Sequence, residues 1–179
     1  TTVEEICGDF DFAELYAIGD NGAFYPEYFN SNNGKVEYAN QSYYNGVINK
    51  QGSRISTTKA LKFPFPITVK AKDGYNVAYC TWLGKEIEKT NFIQDSGWGS
   101  EWEIPANTYF TISLREINNS NITLGTELSM FEVEALIGNL ENIAELGEIK
   151  QLLNDVDYFK KFFDRNNGFI DYQYAIFSY

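Results

Sequence analysis

The segment DSGWGSEWEIP, residues 95–105, holds the side chains of this sequence that best fit a binding site. It places Trp98 and Trp102 four residues apart among glycine, serine and acidic residues. In an extended chain this spacing puts both indole rings on the same side of the backbone. An exposed indole offers a flat apolar face with one polar N–H, which suits stacking against the C–H face of a sugar ring. The same spacing would also allow both rings to cap a hydrophobic core.

Further candidates could supply a second aromatic surface or fixed hydrogen-bonding groups beside the tryptophans. Trp82 ends a strand-like segment just before Gly84, and Tyr43 and Tyr44 are adjacent, so at most one of the two tyrosines is buried if that segment is a strand. For each tryptophan the alternative is a place in the core, and for each arginine it is an ordinary surface position or a salt bridge. The predicted ligand-binding residues are Trp98, Trp102, Trp82, Arg54, Arg115, Tyr79, Tyr44 and Asp95.

The chain contains no histidine, and this excludes several catalytic designs. Neither a Ser-His-Asp or Cys-His device nor a histidine-ligated zinc site can be assembled. A glycosidase needs two carboxylates at a fixed separation. Asp95, Glu101 and Glu103 are the nearest candidates, but nothing in the sequence marks any of them as buried. We therefore predict a protein that is not an enzyme, and a glycoside-acting domain ranks third among the possible functions.

Calcium is the metal that best suits an acidic chain without histidine, because it binds carboxylate and carbonyl oxygens. The nearest match to a calcium-binding loop, DRNNGFIDYQYA, is incomplete, since glycine falls at loop position five and Ala175 stands where a glutamate should be. We predict no cofactor, with a structural calcium ion as an open alternative. Cys7 and Cys80 are predicted to be buried free thiols, because both lie in apolar or strand-like surroundings.

The net charge of −11 and the pI near 4.4 argue against some partners. Nucleic-acid binding requires clustered Lys and Arg, and anionic membrane surfaces are disfavoured for the same reason. No stretch approaches the roughly 20 apolar residues of a membrane span. A neutral polysaccharide would not be repelled. The start TTVEE, which lacks Met, indicates processing or a piece of a longer chain.

The elements that would position these residues are short strands split by turns, from about residue 35 to residue 133. In FTISLREI, residues 110–117, apolar and polar residues alternate, and FPITVKAK repeats the pattern. GSRISTT and YNVAYCTWLG are two further strands. This pattern is typical of an antiparallel sandwich or barrel. The residues that alternation places on the outward faces are Arg54, Thr111, Ser113 and Arg115. If the two arginine strands share a sheet, that face is polar and hydrogen-bonding.

The pattern changes after residue 133. From Leu136 to Phe163, apolar residues recur in steps of three and four, which predicts a helical stripe. Gly138 and Gly147 lie inside it, so we predict either one bent helix or two shorter helices. RNNG would end the helix, and the tail FIDYQYAIFSY alternates as a strand. We predict a β-sandwich domain over residues 1–133 and a helical extension with a terminal strand over 134–179. Residues 136–163 would either pack on the sandwich or form a homo-oligomer.

The run of motifs S-R-I-x-T, G-Y-x-V, G-W, I-S-L-R and N-S-x-I-T, over residues 45–133, resembles the jelly-roll modules of tail, baseplate and receptor-binding proteins of phages that infect Gram-positive bacteria. The resemblance implies a jelly-roll β-sandwich that binds cell-wall or capsular saccharides, within particles whose fibres are often trimeric. Arg54, Trp98 and Arg115 match positions of this pattern. The N-terminal residues and the tail after residue 133 have no counterpart in it.

These observations predict a non-catalytic module that binds cell-surface polysaccharide, located in a virion tail or at an extracellular surface. We predict that the protein binds a saccharide and that it binds neither nucleic acid nor a membrane. The alternative is a structural spacer or assembly module of a tail fibre or surface protein.

Overall fold

A computed structural model describes residue 17, residues 24–63 and 65–136, and the pairs 163–164 and 169–170. In these residues the protein is mainly β, and its sheets are antiparallel, as the alternating pattern predicts. The helical elements of this part are four 3₁₀ turns: Pro26–Phe29, Ser31–Asn33, Lys89–Asn91 and Glu127–Ser129. None of the helices described is long and apolar enough to cross a membrane.

Two sheets form the main body of this part. The larger has the strand order β1 (Tyr38–Ala39), β4 (Arg54–Thr57), β9 (Tyr109–Glu116), β6 (Tyr75–Trp82) and β7 (Phe92–Asp95). The smaller has the order β10 (Phe131–Ala135), β5 (Ile67–Ala71) and β8 (Glu101–Ile104). A separate hairpin joins β2 (Gln41–Tyr44) to β3 (Val47–Lys50), and β11 (Phe163–Asp164) pairs with β12 (Phe169–Ile170).

The main core contains apolar side chains from both sheets, which gives this part a sandwich-like arrangement. Phe110, Ile112 and Leu114 of β9 are buried in it, as the alternation predicts, and so are Ile67 and Val69 of β5. Aromatic residues from the connecting segments complete the core. They are Phe24, Tyr28, Phe29, Phe63 and Phe65.

The opposite face of the five-stranded sheet differs from the prediction. Thr111 and Ser113 were expected to face outward, but both are buried. The reason is the β2–β3 hairpin, whose first strand packs on β4 and β9 and buries its own Gln41, Ser42 and Tyr43. This face therefore carries a second, smaller core, formed by Tyr43, Ala60, Cys80 and Trp82. Arg54 and Arg115 remain half-buried at one end of the same face.

Most of the predicted helical stripe over 136–163 and of the tail over 169–179 lies outside the described residues. At the end of the stripe, Phe163 lies in a short strand, so the prediction that the helix reaches this residue is wrong. Phe169 and Ile170 do begin the tail as a strand. The strand β10 runs to Ala135, past the residue 133 at which the predicted domain ends.

Cys80 provides a test of the second core. The thiol is free and buried, as predicted, and burial together with the nearby carboxylate of Asp95 raises its pKa from 9.0 to about 12. Since the thiolate is the reactive species, we expect Cys80 to react very slowly with iodoacetamide at pH 8 and to react at the normal rate in denaturant. The measurement uses Cys7→Ser, which leaves Cys80 as the single thiol. Fast labelling of the folded protein would contradict this burial.

The same pKa also predicts how stability depends on pH. Because the folded thiol ionises at a higher pH than the unfolded one, its contribution to stability is complete below about pH 9 and is lost as pH rises towards 12. Burial also raises the pKa of Tyr38 and Tyr43, so their contributions to stability are likewise lost as pH rises above 10. Urea denaturation should therefore show a falling free energy of unfolding above pH 9, with a smaller fall in Cys80→Ala.

Candidate functional site

The two arginines predicted to face outward lie side by side. Arg54 of β4 is directly opposite Arg115 of β9, and Arg115 is directly opposite Asn76 of β6. Residues directly opposite each other in antiparallel strands project from the same face of a sheet. The condition set by the sequence, that both arginine strands share one sheet, is therefore met. Arg54, Arg115 and Asn76 form a polar row at the end of the sheet that the second core leaves uncovered.

Trp98 reaches this row from the loop between β7 and β8. Gly99 forms an isolated bridge with Val77, with hydrogen bonds of 2.9 and 3.0 Å in the two directions. Gly97 has a left-handed φ of 78°, and its N–H donates to Asp95 Oδ1 at 2.8 Å. The loop is further held by Ser96, whose Oγ accepts the backbone N–H of Tyr79 at 2.9 Å. The backbone on both sides of Trp98 is therefore fixed to β6 and β7.

Both guanidinium groups lie against the indole of Trp98. Their Cζ atoms are 5.3 Å (Arg54) and 5.0 Å (Arg115) from the centroid of the ring, within cation–π range. Such contacts contribute about 0.5–2 kcal/mol each, the larger values applying to desolvated groups. The half-buried ring is thus held in one orientation by two charged groups that themselves stand on neighbouring strands.

Neutral side chains orient the two guanidinium groups. Arg54 Nη1 donates to Ser42 Oγ at 3.2 Å, and Arg115 Nε donates to Asn76 Oδ1 at 3.0 Å. Among the residues described, neither arginine has a carboxylate partner. Of the alternatives for these arginines, a salt bridge is therefore not seen among the described residues. We call Trp98, Arg54, Arg115, Ser42 and Asn76 the Trp98 site.

Trp102 occupies a structural position. Its half-buried ring packs against the main core and against Tyr79, with centroids 6.2 Å apart, and its Nε1 donates to the carbonyl of Val77 at 2.9 Å. A Cβ at Gly99 would lie 2.9 Å from this ring, so the loop approaches Trp102 as closely as glycine allows. Trp102 lies in β8, not in a loop leading into β9, and it caps the core at the edge of the smaller sheet.

The other predicted binding residues do not join the Trp98 site. Trp82 is 2% exposed and lies in the second core, where its Nε1 donates to Thr111 Oγ1, so no ligand can stack on it. Tyr79 packs against the main core, and burial raises its pKa. Tyr44 is 72% exposed beside the turn of the β2–β3 hairpin. Asp95 is exposed and holds the Trp98 loop by accepting the N–H of Gly97.

Comparisons of the whole chain with protein-family models, with curated proteins and with solved structures find no match. The chemistry of the Trp98 site is therefore the basis for a functional argument.

Ser42 and Asn76 are the site residues that the sequence did not identify. Asn76 lies two residues before Ala78 on the same face of β6, but its place beside Arg115 depends on the register between two strands more than 30 residues apart in the chain. Ser42 reaches Arg54 because the β2–β3 hairpin folds over the sheet. Neither relation leaves a periodic signal in the sequence.

Two other features lie outside the Trp98 site. A cavity of 1030 Å³ lies elsewhere, and its lining includes Tyr28, Tyr38, Gln41, Ile48 and Leu124 but none of the eight predicted binding residues. Within residues 24–63 and 65–136, no group of three or more cysteine or acidic side chains could hold a metal ion. The structural calcium ion stays a prediction.

Proposed function

We propose that this protein is a non-catalytic saccharide-binding module that contacts its ligand at the Trp98 site. The observation that carries the proposal is the half-buried indole of Trp98 beside two guanidinium groups that have no carboxylate partner in the described part. A sugar ring needs a flat apolar surface next to hydrogen-bond donors, and this arrangement supplies both within one side-chain cluster.

The rigidity of the site also supports binding. Its loop is tied to β6 and β7 through Ser96 and Gly97, and its ring is held by Arg54 and Arg115. The side chains of the site would therefore lose little further conformational entropy when a ligand binds. One ring and several hydrogen bonds are enough for affinities of about 1 mM to 1 μM, or −4 to −8 kcal/mol. Several copies in one particle would raise the effective affinity further.

We further propose that the sandwich is a jelly roll and that the module belongs to a phage tail or bacterial surface protein, where it recognises cell-surface polysaccharide. The described sheets support the first part only in general form, because two antiparallel sheets, of five and three strands, contribute to one core. The motif resemblance over residues 45–133 supports the second. The location would be a virion or an extracellular surface.

The test is a glycan array together with a pull-down on cell walls of Gram-positive bacteria. Wild type should bind at least one polysaccharide, and Trp98→Ala should reduce that binding at least about tenfold, because loss of one stacked ring costs about 1.4 kcal/mol or more. Tyr25→Ala is the matched control, since it removes a 50% exposed aromatic residue outside the Trp98 site and should bind normally. Thermal unfolding must show that each variant is folded.

Absence of binding by wild type to every polysaccharide would favour the alternative, a structural spacer or assembly module. One observation supports that alternative independently. Val47 and Ile48, each 49% exposed, lie on β3, whose single strand partner in the described part is β2. An apolar strand edge of this kind can pair with another chain. Light scattering of wild type and Ile48→Lys would reveal assembly through this edge, and self-association through 136–163 would persist in the variant.

A further inference from the structure

Two positive charges stand directly opposite each other at the Trp98 site of a strongly acidic protein. Arg54 and Arg115 are cross-strand partners, and like charges in such positions repel. The chain carries 25 acidic residues against 14 basic ones, yet none of the carboxylates described forms an ion pair with either arginine. The contacts with the Trp98 ring offset part of the repulsion, but they leave the charge unneutralised.

The hydrogen-bonding capacity of the two side chains is also largely unused. A guanidinium group has five N–H donors. Within the described residues, Arg54 uses one for Ser42 and Arg115 uses one for Asn76. The Nε of Arg54 is buried and has no acceptor there. The remaining N–H groups of the paired arginines match the oxygen atoms of a carboxylate or a phosphate, which accept charge-assisted hydrogen bonds.

We propose that the Trp98 site is specific for acidic saccharides, with Arg54 and Arg115 binding an oxyanion of the sugar and Trp98 contacting the adjacent ring. This inference rests on the proposed saccharide-binding function and narrows its ligand class. A carboxylate of a uronic acid and a phosphate of a sugar-phosphate polymer present the same acceptor chemistry. A neutral saccharide would leave the two charges unpaired, and the net charge of −11 gives the rest of the surface no general attraction for anions.

The experiment measures binding of three probes to the intact chain by calorimetry: polygalacturonate, the same polymer after reduction of its carboxyl groups, and poly(glycerol phosphate). The variants are Arg54→Gln/Arg115→Gln, which removes both charges, and Arg54→Lys/Arg115→Lys, which retains them without the planar fork. Lys70→Gln/Lys89→Gln is the control, because it makes the same change in net charge at exposed lysines outside the site. Thermal unfolding and circular dichroism check the fold of each variant.

Wild type should bind at least one acidic polymer and should bind the reduced polymer at least about tenfold more weakly. The glutamine double variant should lose about 100-fold in affinity, roughly tenfold for each charge-assisted contact, and the lysine variant should lie between it and wild type. Polygalacturonate and poly(glycerol phosphate) distinguish a carboxylate from a phosphate. The lysine control should match wild type.

Three results would overturn the proposal, and they differ in whether the saccharide-binding function survives. Equal binding of the acidic and reduced polymers, lost in Trp98→Ala but retained in the glutamine double variant, would refute acidic specificity and leave the saccharide-binding function intact. If folded wild type binds none of these probes and no polysaccharide on the array, both the acidic specificity and the saccharide-binding function are refuted. An equal loss of affinity in the glutamine variant and in the Lys70/Lys89 control would also refute it, because net charge and not the site would then control binding.

Discussion

Replacing Phe63 by alanine is expected to lower the free energy of unfolding by about 3–5 kcal/mol. The side chain is 2% exposed and occupies the middle of the aromatic part of the main core. Five rings have centroids between 5.6 and 6.4 Å from its own: Phe24, Tyr28, Phe29, Phe65 and Phe110. These rings come from different segments of the chain and cannot all move to fill the space that alanine would leave, so a cavity should remain.

Urea denaturation followed by fluorescence and near-ultraviolet circular dichroism measures this loss. Phe63→Leu, which retains most of the volume, should lose clearly less stability than Phe63→Ala. Tyr25→Ala, at an exposed aromatic residue, should change the free energy of unfolding by no more than about 0.5 kcal/mol. A loss below about 1 kcal/mol for Phe63→Ala would show that this residue is not at the centre of the core.

Replacing Trp82 by alanine is expected to cost a similar amount, about 3–5 kcal/mol, through the second core. The indole packs edge-on against Tyr43 and Phe92, with centroids 5.3 and 5.7 Å away, and donates its N–H to Thr111 Oγ1 at 3.0 Å. The substitution therefore opens a large cavity and leaves a buried hydroxyl without its donor. It also removes the largest side chain that holds the β2–β3 hairpin on the sheet.

Trp98→Ala is the matched comparison, since it removes the same side chain from a half-buried position. Trp82→Ala should reduce stability strongly, whereas Trp98→Ala should reduce it by less than half as much and should instead reduce saccharide binding. Trp82→Phe should fall between wild type and Trp82→Ala, because the ring volume is mostly kept and the hydrogen bond is lost. Equal destabilisation by Trp82→Ala and Trp98→Ala would contradict the distinction between a core tryptophan and a site tryptophan.

The strands of this protein could be predicted because each carries its own periodic signal. Phe110, Ile112 and Leu114 alternate with polar residues and do lie in the core, and Arg54 and Arg115 do project from the opposite face. Period two is a property of a single strand, so it needs no knowledge of the neighbours. The antiparallel sheets follow from many such strands separated by short turns.

What covers each face could not be predicted in the same way. Thr111 and Ser113 have the residue types of an exposed face, yet the β2–β3 hairpin buries them. Trp82 ends a strand, a position from which the sequence does not show whether the ring is exposed. Its ring packs against Tyr43 and Phe92 in the second core. Phe63 lies outside any strand, so alternation gave no signal for its central place. Each of these outcomes depends on packing between segments distant in sequence.

The Trp98 site depends partly on strand periodicity, which the sequence shows, and partly on the pairing of distant segments, which it does not. Alternation placed Arg54 and Arg115 on the outward faces of their strands but did not decide whether these strands share a sheet. The residue types around Trp98 made it a candidate for ligand contact. The contact of both guanidinium groups with that ring depends on the β4–β9 register and on the bridge between Gly99 and Val77. These two pairings connect residues far apart in the chain, which a single sequence does not specify.

The most direct test of ligand contact at Trp98 is the ¹⁵N–¹H spectrum of the three tryptophan indole groups during titration with a bound polysaccharide fragment. The N–H groups of Trp82 and Trp102 donate to Thr111 and Val77, whereas among the described residues that of Trp98 has no protein acceptor. Trp98→Phe assigns its signal by deletion. We predict that the Trp98 signal shifts in a saturable manner while that of Trp82 stays in place. Saturable shifts elsewhere in the spectrum with an unchanged Trp98 signal would contradict binding at this site.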